Sequence, residues 1–340
     1  MKSKQLPLGK PIIHGFQFYA YPLSILAVHE EARPWLHSNF LQLCFYRDFE
    51  EGFVVPIAPY LYDYAVNPYL SVQRIQRETL KTFKTSILEF IRESIDRGWY
   101  LHLNIDQYHI PRREHYGNTH FAHDILVYGY DEETRMFDVL GFRDDLAFAP
   151  SQVSFEEFEA AYLSLDHIKN WSEEIVLYKF NPDGKFEFNV NLVADHLEEY
   201  LTGRNTSERV YMFGEVYDRA YGMDLYPHLK RYLQTLIAGD IWYDIKYLHI
   251  LWEHKKCLLA LVGYLEEQGH LDPALGYLAA VRELEQQAMS FRNAMLRAGM
   301  VENMTRLNNV HDSLDAFADK ERELLTKLVA SMRRSSIVHS

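Results

Sequence analysis

The chain has 340 residues, 48% apolar and 24% charged, and 35 basic against 48 acidic side chains give a formal charge of −13. That composition suits about two globular domains, excludes a mostly disordered chain and speaks against nucleic-acid binding, which needs a basic face. No stretch nears the about 18 unbroken apolar residues of a spanning helix, so no membrane partner is expected. Cys44 and Cys257 are too few for a disulfide framework and fit a reducing compartment. The N-terminal MKSKQLPLGKPIIHGF lacks the apolar core of a signal peptide, so a cytoplasmic location is expected.

In chain order, Pro11, Pro22, Pro34, Pro56 and Pro59 confine the first 60 residues to short helices. From 72 to 98, Ile75, Leu80, Phe83, Ile87, Phe90, Ile91 and Ile95 recur at three- and four-residue spacings, and Gly98 follows. The pattern predicts one long helix. Residues 99–106 alternate and read as a strand, and 121–131 and 136–142 predict a hairpin. Ser154 with Glu157 three residues on is a capping-box signature that opens a helix over 153–165. A strand over 173–180 precedes the turn Asn181-Pro182-Asp183-Gly184. Beyond 190 the apolar stripes are helical, at 190–203, 225–239, 244–269, 273–299 and 312–334.

The fold class is therefore α+β, with an α+β domain at 1–182 and a helical domain at 190–334. The 244–269 helix carries the most nearly continuous apolar sequence and should be central, paired with 273–299 through the Gly269–Pro273 turn. Its interruption, Glu253-His254-Lys255-Lys256, reads as a solvated face, and Cys257 as core.

The densest polar chemistry lies in HLNIDQYHIPRREHYGNTHFAHDILVYGYD, residues 102–131, with His102, His109, His115, His120 and His123. Histidine shuttles protons near neutrality, binds metal, or fills a polar core position. His120 and His123 have the spacing of metal ligands, but residues three apart on a strand project from opposite faces. No third ligand follows at a motif spacing, so no metal and no cofactor is expected. Gln107 stands at a strand end where it can contact substrate. Arg112 and Arg113 read as ordinary loop charges.

The stretch HFAHDILVYGYDEETRMFDVLGF, residues 120–142, resembles the histidine segment of the papain-like bacteriocin-processing peptidases. It is still more similar to the N-terminal domain family of the butirosin biosynthesis acyltransferase. In those families a histidine opens a strand six residues before a glycine, as His123 does before Gly129. The resemblance covers roughly residues 12–165. It implies a papain-like domain followed by a C-terminal helical domain, and acyl or aminoacyl transfer on carrier-bound thioesters in peptide or polyketide natural-product assembly. The implied partners are an acyl or peptidyl carrier protein and an amine or peptide substrate, with the helical half serving docking or a homodimer.

The same resemblance implies catalytic roles. His123 is the base, and the nucleophile should be a cysteine following a glutamine at the head of the first helix. Here HGFQFYAYPLSILAVHE keeps Gln17 but has Ala20 or Tyr21 where the cysteine would fall. Cys44, 79 residues before His123, and Ser24 are the alternatives. In a third version there is no covalent nucleophile, and His123 acts as general base on a bound amine. The orienting acid belongs on the strand after the histidine. Asp138 is there, though period-two alternation turns it to the opposite face, and Asp144 and Asp145 are the nearest substitutes. Gln107, Tyr108, His120 and Tyr21 are the expected substrate contacts. The competing reading is a catalytically inactive papain-like scaffold that holds the same kind of intermediate.

Overall fold

A computed structural model describes residues 3–52, 55–61 and 63–338. In chain order it contains β1 (Ser3–Gln5), α1 (Gln17–Leu26), α2 (Arg33–Ser38), β2 (Leu43–Phe45), β3 (Ile57–Pro59), β4 (Leu70–Gln76), α3 (Arg77–Thr82) and α4 (Ile87–Asp96). Then come β5 (Tyr100–Asp106), β6 (Ala122–Asp131), β7 (Met136–Phe142), β8 (Phe148–Ser154), α5 (Phe155–Ser164) and β9 (Glu174–Phe180). The rest is α6 (Val190–Thr202), β10 (Ala220–Tyr221), α7 (Leu225–Ala238), α8 (Lys246–Glu267), α9 (Tyr277–Met300) and α10 (Asn308–Val338). No helix among the described residues is long and apolar enough to cross a membrane.

The chain divides into two compact units, Met1–Ala32 with Asp63–Phe186 and Arg33–Tyr62 with Glu187–Ser340. Residues 33–62, assigned from sequence to the first domain, thus cluster with the helical unit. The reason is local: β2 pairs with β10 on one side, Tyr221 opposite Cys44, and with β3 on the other.

The first unit is α+β. Its antiparallel sheet runs β4-β9-β5-β6-β7-β8, and β1 pairs with the far end of β6, where β5 has stopped. Every residue of β5 is buried, and alternate residues face opposite ways, so both faces are covered at the centre of the sheet. α1 packs on β6, β7 and β9, whereas α4 and α5 pack on β5. The capping box at the start of α5 is complete: the Ser154 hydroxyl accepts from the Glu157 backbone N–H, and the Glu157 carboxylate accepts from the Ser154 backbone N–H. A register shift between Val127 and Gly129 lets the Asp138 side chain lie over Gly129, where a Cβ would sit 2.5 Å from Asp138 Oδ2. Only glycine fits there.

The long helix read over 72–98 is instead a strand and two helices. β4 is a sheet edge paired with β9 along its whole length, from Leu70 opposite Phe180 to Gln76 opposite Glu174. Ladder hydrogen bonds there outweigh the helical stripe, which holds only from Leu80 onward: Leu80, Ile87, Ile91 and Ile95 are buried, whereas Phe83 between them is 75% exposed. Lys84 takes φ 52°, which breaks the helical path before α4 begins. β8, at the sheet edge, contains Pro150 and so lacks the usual sequence signal of a strand. An edge strand tolerates proline, because the missing N–H faces away from its one partner.

In the second unit α8 lies along α9, and α10 packs on α6, α7 and α9. Leu248, Ile250, Leu251, Leu258, Leu261 and Val262 of α8 are fully buried. The reading of 253–256 as a solvated face fails for three of its four residues: Glu253, His254 and Lys255 are also fully buried.

Candidate functional site

The first unit brings the head of α1 against the start of β6. Gln17 is the first residue of α1, and His123 is the second of β6, opposite Ile105 of β5. His123 Nδ1 lies 2.6 Å from Asp124 Oδ1. The Gln17 amide nitrogen lies 2.8 Å from the same carboxylate oxygen, 3.0 Å from the Asp124 carbonyl and 3.0 Å from His123 Nδ1. With two hydrogens, that amide serves the two Asp124 oxygens. The imidazole then donates its Nδ1 hydrogen to the carboxylate, which leaves Nε2 as the basic nitrogen of the neutral ring.

The supporting contacts are buried. His102 Nε2 lies 3.3 Å from Asp124 Oδ2, and the Tyr21 hydroxyl donates to the Asp124 carbonyl at 3.2 Å. Gln17 Oε1 accepts from the Phe142 N–H at 2.6 Å, tying α1 to the end of β7. Gly141 makes this possible, because a Cβ there would stand 2.8 Å from Gln17 Oε1. Arg113, 4% exposed, donates to the Phe142 carbonyl at 2.6 Å and packs beside Gly141. It is not a solvated loop charge, and burial lowers its pKa. The His123 side chain remains 36% exposed, so the ring is fixed at one edge and open at another.

The electrostatics follow from this packing. Burial alone would raise the Asp124 pKa, but the hydrogen bonds from His102 and His123 reverse it and hold the carboxyl far below its ordinary range. Burial also acts against the His123 imidazolium, yet Asp124 outweighs it, and the net shift is upward from 6.5. The His123 contribution to stability is therefore complete below about pH 6.5 and is lost as pH rises through the folded-state pKa. The Asp124 contribution is present above about pH 4 and is lost on acidification. Asp124→Asn removes the compensating charge and leaves burial to act alone. Its His123 pKa, followed by NMR at Cε1, should fall below 6.5. A pKa that stays where it is in the wild type would mean that Asp124 does not set it.

The other sequence-derived candidates lie elsewhere. Asp138 pairs opposite Gly129 and accepts from Gln152 at 3.0 Å. The register Leu126↔Leu140 puts it about five residues, or about 16 Å of strand, from the level of His123. Asp144 and Asp145 are engaged with Arg112, and Asp145 also with Arg143. Ser24 is not near the start of α1 but in its C-terminal half, fully buried, with its hydroxyl donating to the Ala20 carbonyl at 2.7 Å. Cys44 belongs to the second unit. Its thiol is buried, lies 3.7 Å from the Ala58 carbonyl and 3.6 Å from Arg219, and burial raises its pKa despite that arginine. Such a thiol is a poor nucleophile.

Ala20 and Tyr21, where the cysteine of the resembling families was expected, lie inside α1 and are fully buried. The Tyr21 hydroxyl props the Asp124 backbone, and burial holds its pKa well up. Gln107 is buried at the end of β5, its N–H bonded to the Phe121 carbonyl at 2.9 Å. Tyr108 stacks on His120 at 4.3 Å between ring centroids. Sequence reasoning gave Asp124, His102 and Arg113 no place beside His123. The signal for Asp124 was its adjacency to His123, which strand alternation argues against. The chain matches no protein-family model, and no curated protein matches it at a significant level.

Proposed function

We propose that the first unit, as a papain-like domain, transfers an acyl or aminoacyl group from a carrier-bound thioester to an amine, without a covalent acyl-enzyme. The observation that carries this is the His123 ring, held through Nδ1 on the buried Asp124 carboxylate with part of the ring exposed. In the proposed step the amine nitrogen attacks the thioester carbonyl while His123 Nε2 takes its proton. The C–N bond forms, the C–S bond breaks, and the proton passes to the departing thiolate. A thioester needs little beyond a positioned amine and a base. The substrate class comes from the resemblance of residues 120–142. The burial of Cys44 and Ser24 supports the non-covalent version.

One observation favours a second reading. Gln17 at the head of α1 meets His123, but Ala20 and Tyr21, where the resembling families place their cysteine, are fully buried and carry no nucleophile, as in a scaffold that only binds the intermediate. Incubating the chain with acyl-N-acetylcysteamine thioesters and an amine, with intact-mass analysis, separates the versions. The expected result is amide above the buffer rate, no acyl adduct on the protein, and full turnover by Cys44→Ala. An adduct on Cys44 overturns the non-covalent route, and no acceleration by the wild type moves the assignment to the scaffold.

A further inference from the structure

A second cluster stands at the β5–β6 junction, and the proposed acyl transfer does not use it. Asp106 ends β5 with no exposure. Its Oδ1 accepts the N–H groups of Tyr108 at 3.1 Å and Phe121 at 3.0 Å, and its Oδ2 accepts the Ser164 hydroxyl at 2.6 Å. The carboxylate is thus locked in place before any ligand arrives. His120 comes in just before β6, because the register pairs Asp106 with Ala122, and its Nδ1 lies 2.6 Å from Asp106 Oδ2. His109 comes from the 3-10 turn that follows Asp106. One ligand atom from each of the three lies within 4.8 Å of the other two.

We propose that Asp106, His109 and His120 bind a divalent transition metal of the zinc class. Bonds of about 2.0–2.1 Å put tetrahedral ligand atoms about 3.4 Å apart. The three present atoms therefore need shifts of about 1–1.5 Å at most. Two of them are on side chains with room to move, His120 at 51% exposure and the half-buried His109. Two imidazoles and one carboxylate suit zinc, cobalt or nickel, whereas magnesium and calcium take oxygen donors. The Ser164 hydroxyl on Oδ2 is the kind of outer contact that orients a ligating carboxylate. Three protein ligands leave a fourth position open to water or a donor atom. The sequence spacing of His120 and His123 is irrelevant here; the partners of His120 come from the neighbouring strand and turn.

Calorimetric titration of the untagged full-length chain with zinc chloride tests the site, with cobalt(II) absorption as the second readout. One equivalent should bind, and cobalt should give the visible bands of a low-coordinate N/O site. His109→Ala and His120→Ala should each lower affinity by about 100-fold or more, beyond the about 10–100-fold of losing an outer contact. His115→Ala, outside the trio, should leave it unchanged. Neither histidine is fully buried, so circular dichroism should show both variants folded. Wild-type zinc affinity no tighter than that of a folded His109→Ala/His120→Ala double variant overturns the proposal, as does an equal loss in His115→Ala. Neither result bears on His123, whose thioester assay is separate.

Discussion

His123→Ala is expected to lower amide formation from a thioester by about 10²–10⁴-fold, the usual worth of a positioned general base, while the chain stays folded. The ring is 36% exposed, and its one strong contact is with Asp124, which keeps His102 and Gln17 as partners after the change. At about 1.4 kcal/mol per decade the loss is about 3–5 kcal/mol of transition-state stabilisation. The rate should follow the neutral fraction of His123. Because its pKa is raised, the rising limb of the pH profile should lie above 6.5, and Asp124→Asn should move that limb to lower pH while reducing the plateau. A folded His123→Ala with wild-type turnover would sink the assignment, whatever its effect on binding.

The parts of this molecule that were legible in the sequence rest on local signals. Ser154 and Glu157 announce a helix start that depends only on residues three apart. The hairpin of β6 and β7 follows from alternation around a short turn, and α6 to α10 from stripes long enough to show their period. What was not legible depends on partners distant in sequence. β4 is a strand because β9, about a hundred residues later, pairs with it. Arg113 is buried because the end of β7 offers it a carbonyl. Asp124 serves His123 although neighbours on a strand face opposite ways, since the imidazole turns back along the strand, its Nδ1 also 3.5 Å from the Asp124 carbonyl. No spacing rule encodes that turn. His123 itself was visible, as was Gln17, but their direct contact depends on where α1 begins.

The buried ion pair of the helical unit should give the largest stability effect. Lys255 of α8 and Glu321 of α10 are both fully buried and hydrogen-bonded to each other. Lys255 Nζ also donates to the Tyr200 hydroxyl oxygen at 3.1 Å and to His254 Nδ1 at 3.0 Å, and Tyr226 donates its hydroxyl to Glu321. His254 accepts at Nδ1 because its Nε2–H is committed to the Leu41 carbonyl at 2.8 Å. Burial and the adjacent Lys255 hold its pKa well below the ordinary value, so the ring is neutral. All three ammonium hydrogens thus have acceptors, and the network ties α6, α7, α8 and α10 together.

Taking one charge away strands the other in a dry interior. Glu321→Gln or Lys255→Met should each cost about 3–5 kcal/mol, which at about 2–4 °C per kcal/mol lowers the melting temperature of this unit by about 6–20 °C. Combining Lys255→Met with Glu321→Leu should cost less than the sum of the single changes, because no unpaired charge remains. It should not return to the wild type, since Tyr200, Tyr226 and His254 each lose a partner. The pH dependence distinguishes a stranded charge from poor packing. In Glu321→Gln the folded state disfavours the ammonium, and burial already lowers the Lys255 pKa in the intact pair. The unfolded chain then binds more protons than the folded one, and stability should climb as pH rises toward 10. A deficit in Glu321→Gln that is flat between pH 7 and 10 would mean that Lys255 is not the stranded group.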